Sequence, residues 1–434
     1  MPSGQVGRGL EALHCHHFLL PKQPLKKPVV EKMISIHPYR RLFDRACRSL
    51  RGGSLAVEFW DGSHATYGAG EPHVQLKIHR ADVVPRLVMD PELAFGEAYM
   101  RGELEIEGRL DDLMKIAAAN DAPAPALVNA LFHGAALFSR WKPLSMRRNR
   151  RDVSHHYDLG NDFYRLWLDP TMTYSCAYFR SPDDDLETAQ RQKMRHVLNK
   201  LMLHEGESLL DIGCGWGALV SEATQTFGVH TLGITLSHEQ KEWFGQHRGG
   251  DANGQNAAVE LKHYHELAGS GQRFDKIVSV GMAEHVGRHR LPGYIADVKR
   301  LLRPGGLGLL HFISGVKTEP TSPWLVKYIF PGGYIPSLSE VVGQMARQDL
   351  VICDVENLGA HYALTLDRWA ENFEHNVGWV EARYGAEFVR MWRLYLNFSA
   401  ASFRCEDTYV HQILFSNGKP ELPLTREHLY PPAL

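Results

Sequence analysis

The sequence predicts a doubly wound, mainly parallel α/β sheet that carries a helical cap insertion and a small N-terminal accessory domain. Three observations lead there. The apolar run Leu209-Leu210-Asp211-Ile212 ends in glycines at every second residue, Gly213, Gly215 and Gly217, and opens into a helical pattern. That is a buried strand, a tight turn and a helix N-terminus. Downstream, short apolar runs alternate with helical patterns, the pattern of a parallel sheet whose ligands bind at strand C-terminal ends. Upstream of residue 110, short alternating runs separated by turn residues mark a separate β-rich unit.

Residues 1–35 mix Gly, Pro, His and Lys without period and are expected to be a disordered extension, with Met33 a candidate alternative start. A helical pattern at 36–50 opens the accessory domain, set at 36–140. Strand-like runs follow at 56–60, 65–67 and 74–78, the first two separated by Asp61-Gly62. Helical signal returns at 91–101, with Asp90 as N-cap and Pro91 at the first helical position. Residues 126–141 are alanine-rich and apolar, and lead through Arg140, Trp141 and Lys142 to Arg147, Arg148, Arg150 and Arg151. This basic linker, 141–155, reads as a solvated segment or as a contact with anionic lipid, where each basic side chain is worth about 1 kcal/mol.

The α/β domain, 156–434, begins with a helix at 186–203. Strands are expected at 208–212, 229–235, 260–264 and 276–280, then a helix at 291–302, a turn at 303–306 and a strand at 307–312. The segment around 320–405 reads as an inserted helical cap.

A chain of 434 residues holds two or three domains. A net charge of −2 argues against nucleic-acid partners. Six cysteines without a C-x-x-C pair fit reduced thiols better than a disulfide framework or a metal site. No run of 18 uncharged apolar residues is present, and the N-terminus lacks the apolar stretch of a secretory signal. A cytoplasmic location is expected.

The glycine spacing departs from the G-x-G-x-x-G dinucleotide fingerprint. An acid before such a turn, Asp211, suits S-adenosylmethionine, which carries an ammonium group and no phosphate. A tight turn without a ligand is the alternative. The second strand ends in Gly233-Ile234-Thr235-Leu236-Ser237, with Gln240 after it. Thr235 and Gln240 would meet ribose hydroxyls with neutral hydrogen bonds, and Ser237 also suits a helix N-cap. The fourth strand ends beside Glu284-His285, charged residues at a buried edge that would lie over the reacting centre.

These residues, with others along the chain, carry a resemblance. Residues 156–164, 174–179, 210–217, 233–240, 278–287, 310–313 and 327–333, with Phe403-Arg404, occur in one order between about His155 and Phe415. In them the chain resembles the cyclopropane-fatty-acyl-phospholipid synthases, Rossmann-like class I methyltransferases that use S-adenosylmethionine to bridge the double bond of unsaturated acyl chains. The accessory domain resembles that of longer members acting on membrane phospholipids.

The resemblance implies a donor site formed by Tyr174, Ser175, Asp211, Gly213, Cys214, Gly215, Gly217, Thr235, Leu236, Ser237, Gln240, His263 and Tyr264. It also implies a bound bicarbonate ion as base, held by Cys176, Glu284, His311, Ile313 and Tyr362. Methyl transfer to an alkene leaves a cation that aromatic faces stabilise, and Tyr178, Phe179, Tyr328, Phe330, Tyr334 and Trp369 are candidate walls. Two departures stand out. Ser399 occupies the position of a late-helix cysteine in many members, and His263 stands where an acid or amide often meets adenine. The reading implies peripheral attachment to the inner membrane face, acyl chains of phospholipids as partners and no nucleic acid, and leaves a homodimer open. The alternatives are a methylene- or methyl-branching C-methyltransferase, a small-amine N-methyltransferase, and a non-catalytic binding protein.

Overall fold

The computed structural model describes residues 36–120, 159–247, 256–318 and 320–430. The expected extension at 1–35, the apolar segment at 126–141, the basic stretch at 147–151 and the first residues of the 156–164 motif lie outside them.

The accessory unit opens with the helix Ile36–Cys47. Strands β1 (Gly53–Glu58), β2 (His64–Ala69), β3 (His73–Ile78) and β4 (Leu104–Glu107) form a sheet of order β2-β1-β3-β4, with β1 and β3 parallel. The first three fall on the expected alternating runs; β4 was not anticipated. Asp90 caps the helix Pro91–Met100 by accepting from the Leu93 amide at 3.3 Å. This unit docks on the rest of the chain through shared core and ion pairs. Arg404 reaches Asp111 at 3.1 Å, Lys327 reaches Glu97 at 2.5 Å, and Trp324 lies flush on Gly96, where any Cβ would collide with its ring.

The larger sheet comprises β5 (Ser208–Ile212), β6 (His230–Thr235), β7 (Ala257–Leu261), β8 (Phe274–Val280), β9 (Leu302–Gly315), β10 (Leu350–Asn357) and β11 (Thr408–Asn417). Their order is β10-β11-β9-β8-β5-β6-β7. Strands β5 to β9 run parallel and β11 runs antiparallel to both its neighbours. Because β5 is flanked by β6 on one side and β8 on the other, the chain winds outward in both directions from it. The crevice at its C-terminal end is the topological switch point. Leu209 and Leu210 are fully buried, as a strand covered on both faces requires.

The structure corrects three expectations. β7 ends at Leu261, and Tyr264, expected in that strand, instead begins the helix Tyr264–Gly269 with His263 as its cap. The expected turn at 303–306 lies within β9, as an irregularity where the pairing to β8 jumps from Phe274↔Leu302 to Lys276↔Leu307. The segment 320–405 is not wholly a cap. It contains β10, and the helix Leu338–Arg347 packs Val341 and Met345 into the sheet's own core. What covers the site is the helix Pro323–Tyr328 and the helices Gly359–His375, Val377–Tyr384 and Ala386–Cys405. They enclose an aromatic core of Trp167, Trp369, Trp392, Phe163 and Tyr164. No helix among the described residues is long and apolar enough to cross a membrane.

Candidate active site

A cavity opens where β5, β6 and β8 end. Gly213 (φ 84°) turns the chain so that its amide and that of Cys214 both donate to the Ile234 carbonyl, at 2.9 and 3.1 Å. The corner is thereby pinned to the end of β6. Gly217 (φ 78°) caps the helix Ala218–Phe227, and a Cβ there would strike the Phe244 ring. The lining includes Tyr174, Ser175, Asp211, Gly213, Cys214, Gly215, Thr235, Leu236, Gln240, His263 and Tyr264. Of the expected donor residues, Gly217 and Ser237 are not on this wall. Gly217 makes the turn, and Ser237 is a cap whose hydroxyl accepts from the Gln240 amide at 3.3 Å.

Polar groups in the wall are preset by their neighbours. The Thr235 hydroxyl donates to the Gln240 side-chain carbonyl at 2.6 Å and accepts from the Ser237 amide at 3.1 Å. Gln240 keeps its NH2 end as its remaining polar group. His263 accepts from the His265 amide at 3.1 Å and leans on Tyr264 at 4.2 Å. The Tyr174 hydroxyl lies 2.7 Å from that of Tyr395.

Asp211 is buried at the base of the cavity, and its Oδ1 has no hydrogen-bond partner. Burial pushes its carboxyl up to about 7, against the opposing charge of Lys193. Lys193, on the helix Leu186–Lys200, donates to Ser175 Oγ at 2.9 Å. Burial pulls its ammonium down to about 8, opposed by Asp169, Cys176 and Asp211. Sequence reading missed Lys193, although it lies on the buried stripe of an amphipathic pattern (Leu186, Ala189, Gln190, Lys193, Val197), where a cation needs a partner. It also missed Trp216 and Met282 in the lining. An unsatisfied carboxylate oxygen in a largely apolar cavity without a phosphate cradle fits a ligand bearing an ammonium group, as S-adenosylmethionine does.

The second set of residues gathers next to this cavity. Cys176 and Leu358 form a small core with Val410, against which Ile313, Tyr362 and Phe403 pack. Glu284 Oε1 accepts from the Ile313 amide at 2.6 Å, while its Oε2 is buried without a hydrogen-bond partner. Burial lifts this carboxyl to about 7, against the Ile313 hydrogen bond. His311 lies two residues before Ile313 on β9, so both project from the same face. Its carbonyl accepts from Gly281 of the cavity wall at 2.8 Å. The Cys176 thiol is driven up by burial, which keeps it protonated. The expected Glu284-His285 pair divides: His285 lines the donor cavity, and Glu284 turns to β9.

The candidate walls divide as well. Phe330 meets Tyr395 and His285 edge-on at 5.7 and 6.1 Å, and Trp369 lies 5.9 Å from Tyr362. Phe179 packs in the aromatic core. Tyr178 instead stacks between His196 and His361, at 4.3 and 4.7 Å. Tyr328 binds Glu97 of the accessory unit and Tyr334 binds Glu340, so both hydroxyls are committed away from this cluster. Ser399 sits half-buried on the helix Ala386–Cys405.

Known proteins resemble this chain in sequence and fold. A family model described as mycolic acid cyclopropane synthetase matches residues 144–413, and a domain of unknown function matches residues 41–124. A probable fatty acid methyltransferase of Pseudomonas putida is 35% identical over 390 residues, covering 87% of this chain and 96% of its own. The cyclopropane-fatty-acyl-phospholipid synthase of Escherichia coli is 37% identical over 354 residues, covering 80% and 89%. Among solved structures, a mycolic acid cyclopropane synthase complexed with S-adenosylhomocysteine superposes with a TM-score of 0.58 at 35% identity, covering 64% of this chain and 99% of that one.

Proposed function

The chain belongs to the mycolic acid cyclopropane synthetase family of S-adenosylmethionine-dependent methyltransferases, and from that premise we propose how its residues convert an unsaturated acyl chain of a phospholipid into a cyclopropane. The observation that carries this reading is the pairing of the donor cavity at Asp211 with the adjoining cluster of Cys176, Glu284, His311, Ile313 and Tyr362.

When bound, S-adenosylmethionine supplies a methyl group on a sulfonium, and bicarbonate beside Glu284 supplies a base. The alkene π pair forms a bond to the methyl carbon as the S–C bond breaks onto sulfur. The positive charge then rests on the other alkene carbon. A C–H bond of the added methyl gives its pair to that carbon, which closes the ring, and the proton leaves to the base. An isolated alkene is a weak nucleophile, so alignment and exclusion of water must supply much of the rate. Phe330, Trp369 and Tyr362 offer the aromatic faces a cation needs.

The bare Oε2 of Glu284 supports the bicarbonate assignment, because the hydroxyl of a small anion would satisfy it. Tyr362 can donate to the anion's other oxygens. The basic residues at 147–151 would hold the enzyme on an anionic membrane surface.

Lipids from cells expressing the protein should contain one extra carbon held in a ring, by mass and NMR. A branched alkene, or modification of small amines and not of phospholipid vesicles, overturns the assignment. Activity should fall when bicarbonate is depleted and return when it is restored. Neutralising Arg147, Arg148, Arg150 and Arg151 should reduce pelleting with anionic vesicles; unchanged pelleting refutes that contact.

A further inference from the structure

We propose that Gln412 is a positioning residue that locks His311 as the neutral tautomer protonated at Nε2, braced from behind by Lys200 and Glu356. His311 on β9 is the ladder partner of Gln412 on β11, and Gln412 is the partner of Glu356 on β10. Directly opposed residues share a face, so the three side chains form one row across the sheet. Lys200, at the end of the helix Leu186–Lys200, lies over that row and is buried with His311 and Gln412.

Donor and acceptor arithmetic then leaves one arrangement. Glu356 is a carboxylate: burial opposes its ionisation, but hydrogen bonds from His196 and Lys200 and the charge of Lys200 hold it at about 2. It bonds Lys200 Nζ, His196 at 2.7 Å and the Tyr430 hydroxyl at 3.1 Å. Burial lowers Lys200, but the charge and hydrogen bond of Glu356 oppose this and favour the ammonium, which has only donors. The Gln412 atom 2.8 Å from it must be the carbonyl oxygen. The NH2 end of Gln412 then faces His311 Nδ1 at 3.1 Å. An NH2 also only donates, so Nδ1 must accept, and the ring proton sits on Nε2. Protonating the ring would aim a second N–H at that NH2. Burial and the nearby lysine charges push His311 the same way, toward the neutral form.

With Nδ1 committed and Nε2 already protonated, His311 has no free lone pair. It can donate one hydrogen bond from Nε2 and cannot collect the methyl proton. This deepens the proposed function and rests on it in one respect: the reaction then needs a base other than His311. The lock itself does not depend on what that base is.

Ring-15N histidine labelling of the full chain tests the lock by long-range 1H–15N NMR, with His311 assigned by its loss in His311→Gln. The wild type should show Nε2 protonated and Nδ1 bare, unchanged between about pH 6 and 9. A proton on Nδ1, or titration in that range, overturns the proposal. In Gln412→Leu the His311 signals should become those of a mixed or titrating ring. kcat should fall roughly 10- to 100-fold, as when the outer partner of a functional histidine is lost, with KM for the donor within about twofold. Unchanged His311 signals in that variant overturn the proposal. Lys200→Met frees the Gln412 amide by another route and should give the same spectral change, so the test does not hang on one variant folding. A locked spectrum in an enzyme indifferent to bicarbonate would support the lock while refuting the assigned base.

Discussion

The donor cavity and the adjoining cluster each bury one carboxylate with a single unsatisfied oxygen, yet they are built in opposite ways. Asp211 stands on a continuous stretch of chain, strand then glycine turn then helix, and faces a cation, Lys193. Glu284 is held by the Ile313 backbone amide of another strand, with Cys176 and Tyr362 packed in the same small core as Ile313 from two further places in the sequence. Both carboxyls are lifted to about 7 by burial. Under the proposed function the contrast is a division of labour: the first would meet a cationic ligand by charge, and the second a small polar group by hydrogen bonding.

Glu284→Gln should separate the two most sharply. The amide keeps the shape and loses the acceptor charge, so turnover should fall about 10²–10⁴-fold, while S-adenosylmethionine affinity by calorimetry stays within a few-fold. Retained turnover would end the distinction. Asp211→Asn should do the converse, weakening donor affinity roughly 10- to 100-fold, as expected of a hydrogen bond to a charged group worth about 1.5–3 kcal/mol.

The same comparison carries a pH dependence. If Asp211 holds the donor's cation it does so as the ionised form, so wild-type affinity should weaken up to about tenfold per unit as pH falls below about 7. It should level off above, and Asp211→Asn should flatten the profile. Stability of the ligand-free protein should move in the opposite direction. Between the ordinary carboxylate range and about 7, the unfolded chain ionises Asp211 and Glu284 while the folded one keeps their protons. Stability contributed by these groups is therefore full below about pH 4 and is lost as pH rises to about 7. At pH 8, Asp211→Asn without ligand should melt a few degrees above wild type by calorimetry. A lower Tm would mean that Lys193 stabilises the ionised carboxylate more than burial penalises it.

The two regions also differ in how far they could be read from residues alone. The glycine corner was legible because its parts are neighbours: an apolar run, an acid and glycines needed for positive φ. The cluster was not, because His311 and Tyr362 taken singly look like core residues, and only a family resemblance joined them to Cys176 and Glu284. Errors fell where tertiary context overrides local pattern. The His263-Tyr264 pair reads as β-prone but caps and opens a helix; β10 is hidden in a helical stretch because it is an edge strand with three of its eight side chains exposed and one buried. Lys193 and Lys200 were invisible as site residues for another reason. A buried cation is betrayed only by the partners that surround it, and those partners are distant in sequence.

The smallest expected effect falls at Ser399, which tests whether either region uses a covalent nucleophile. A serine hydroxyl becomes nucleophilic when a base lies within hydrogen-bond reach. The Ser399 hydroxyl has no such partner among the described residues, and it sits on a helix whose buried face belongs to the aromatic core. In the proposed reaction a methyl group moves from sulfur to carbon in one displacement, so an enzyme-bound intermediate would have nothing to add. Ser399→Ala and Ser399→Cys should both keep kcat within about twofold of wild type, in line with a change away from a catalytic contact. A loss of about 100-fold in Ser399→Ala, restored in Ser399→Cys, would place a nucleophile in the late helix and undo the two-carboxylate account.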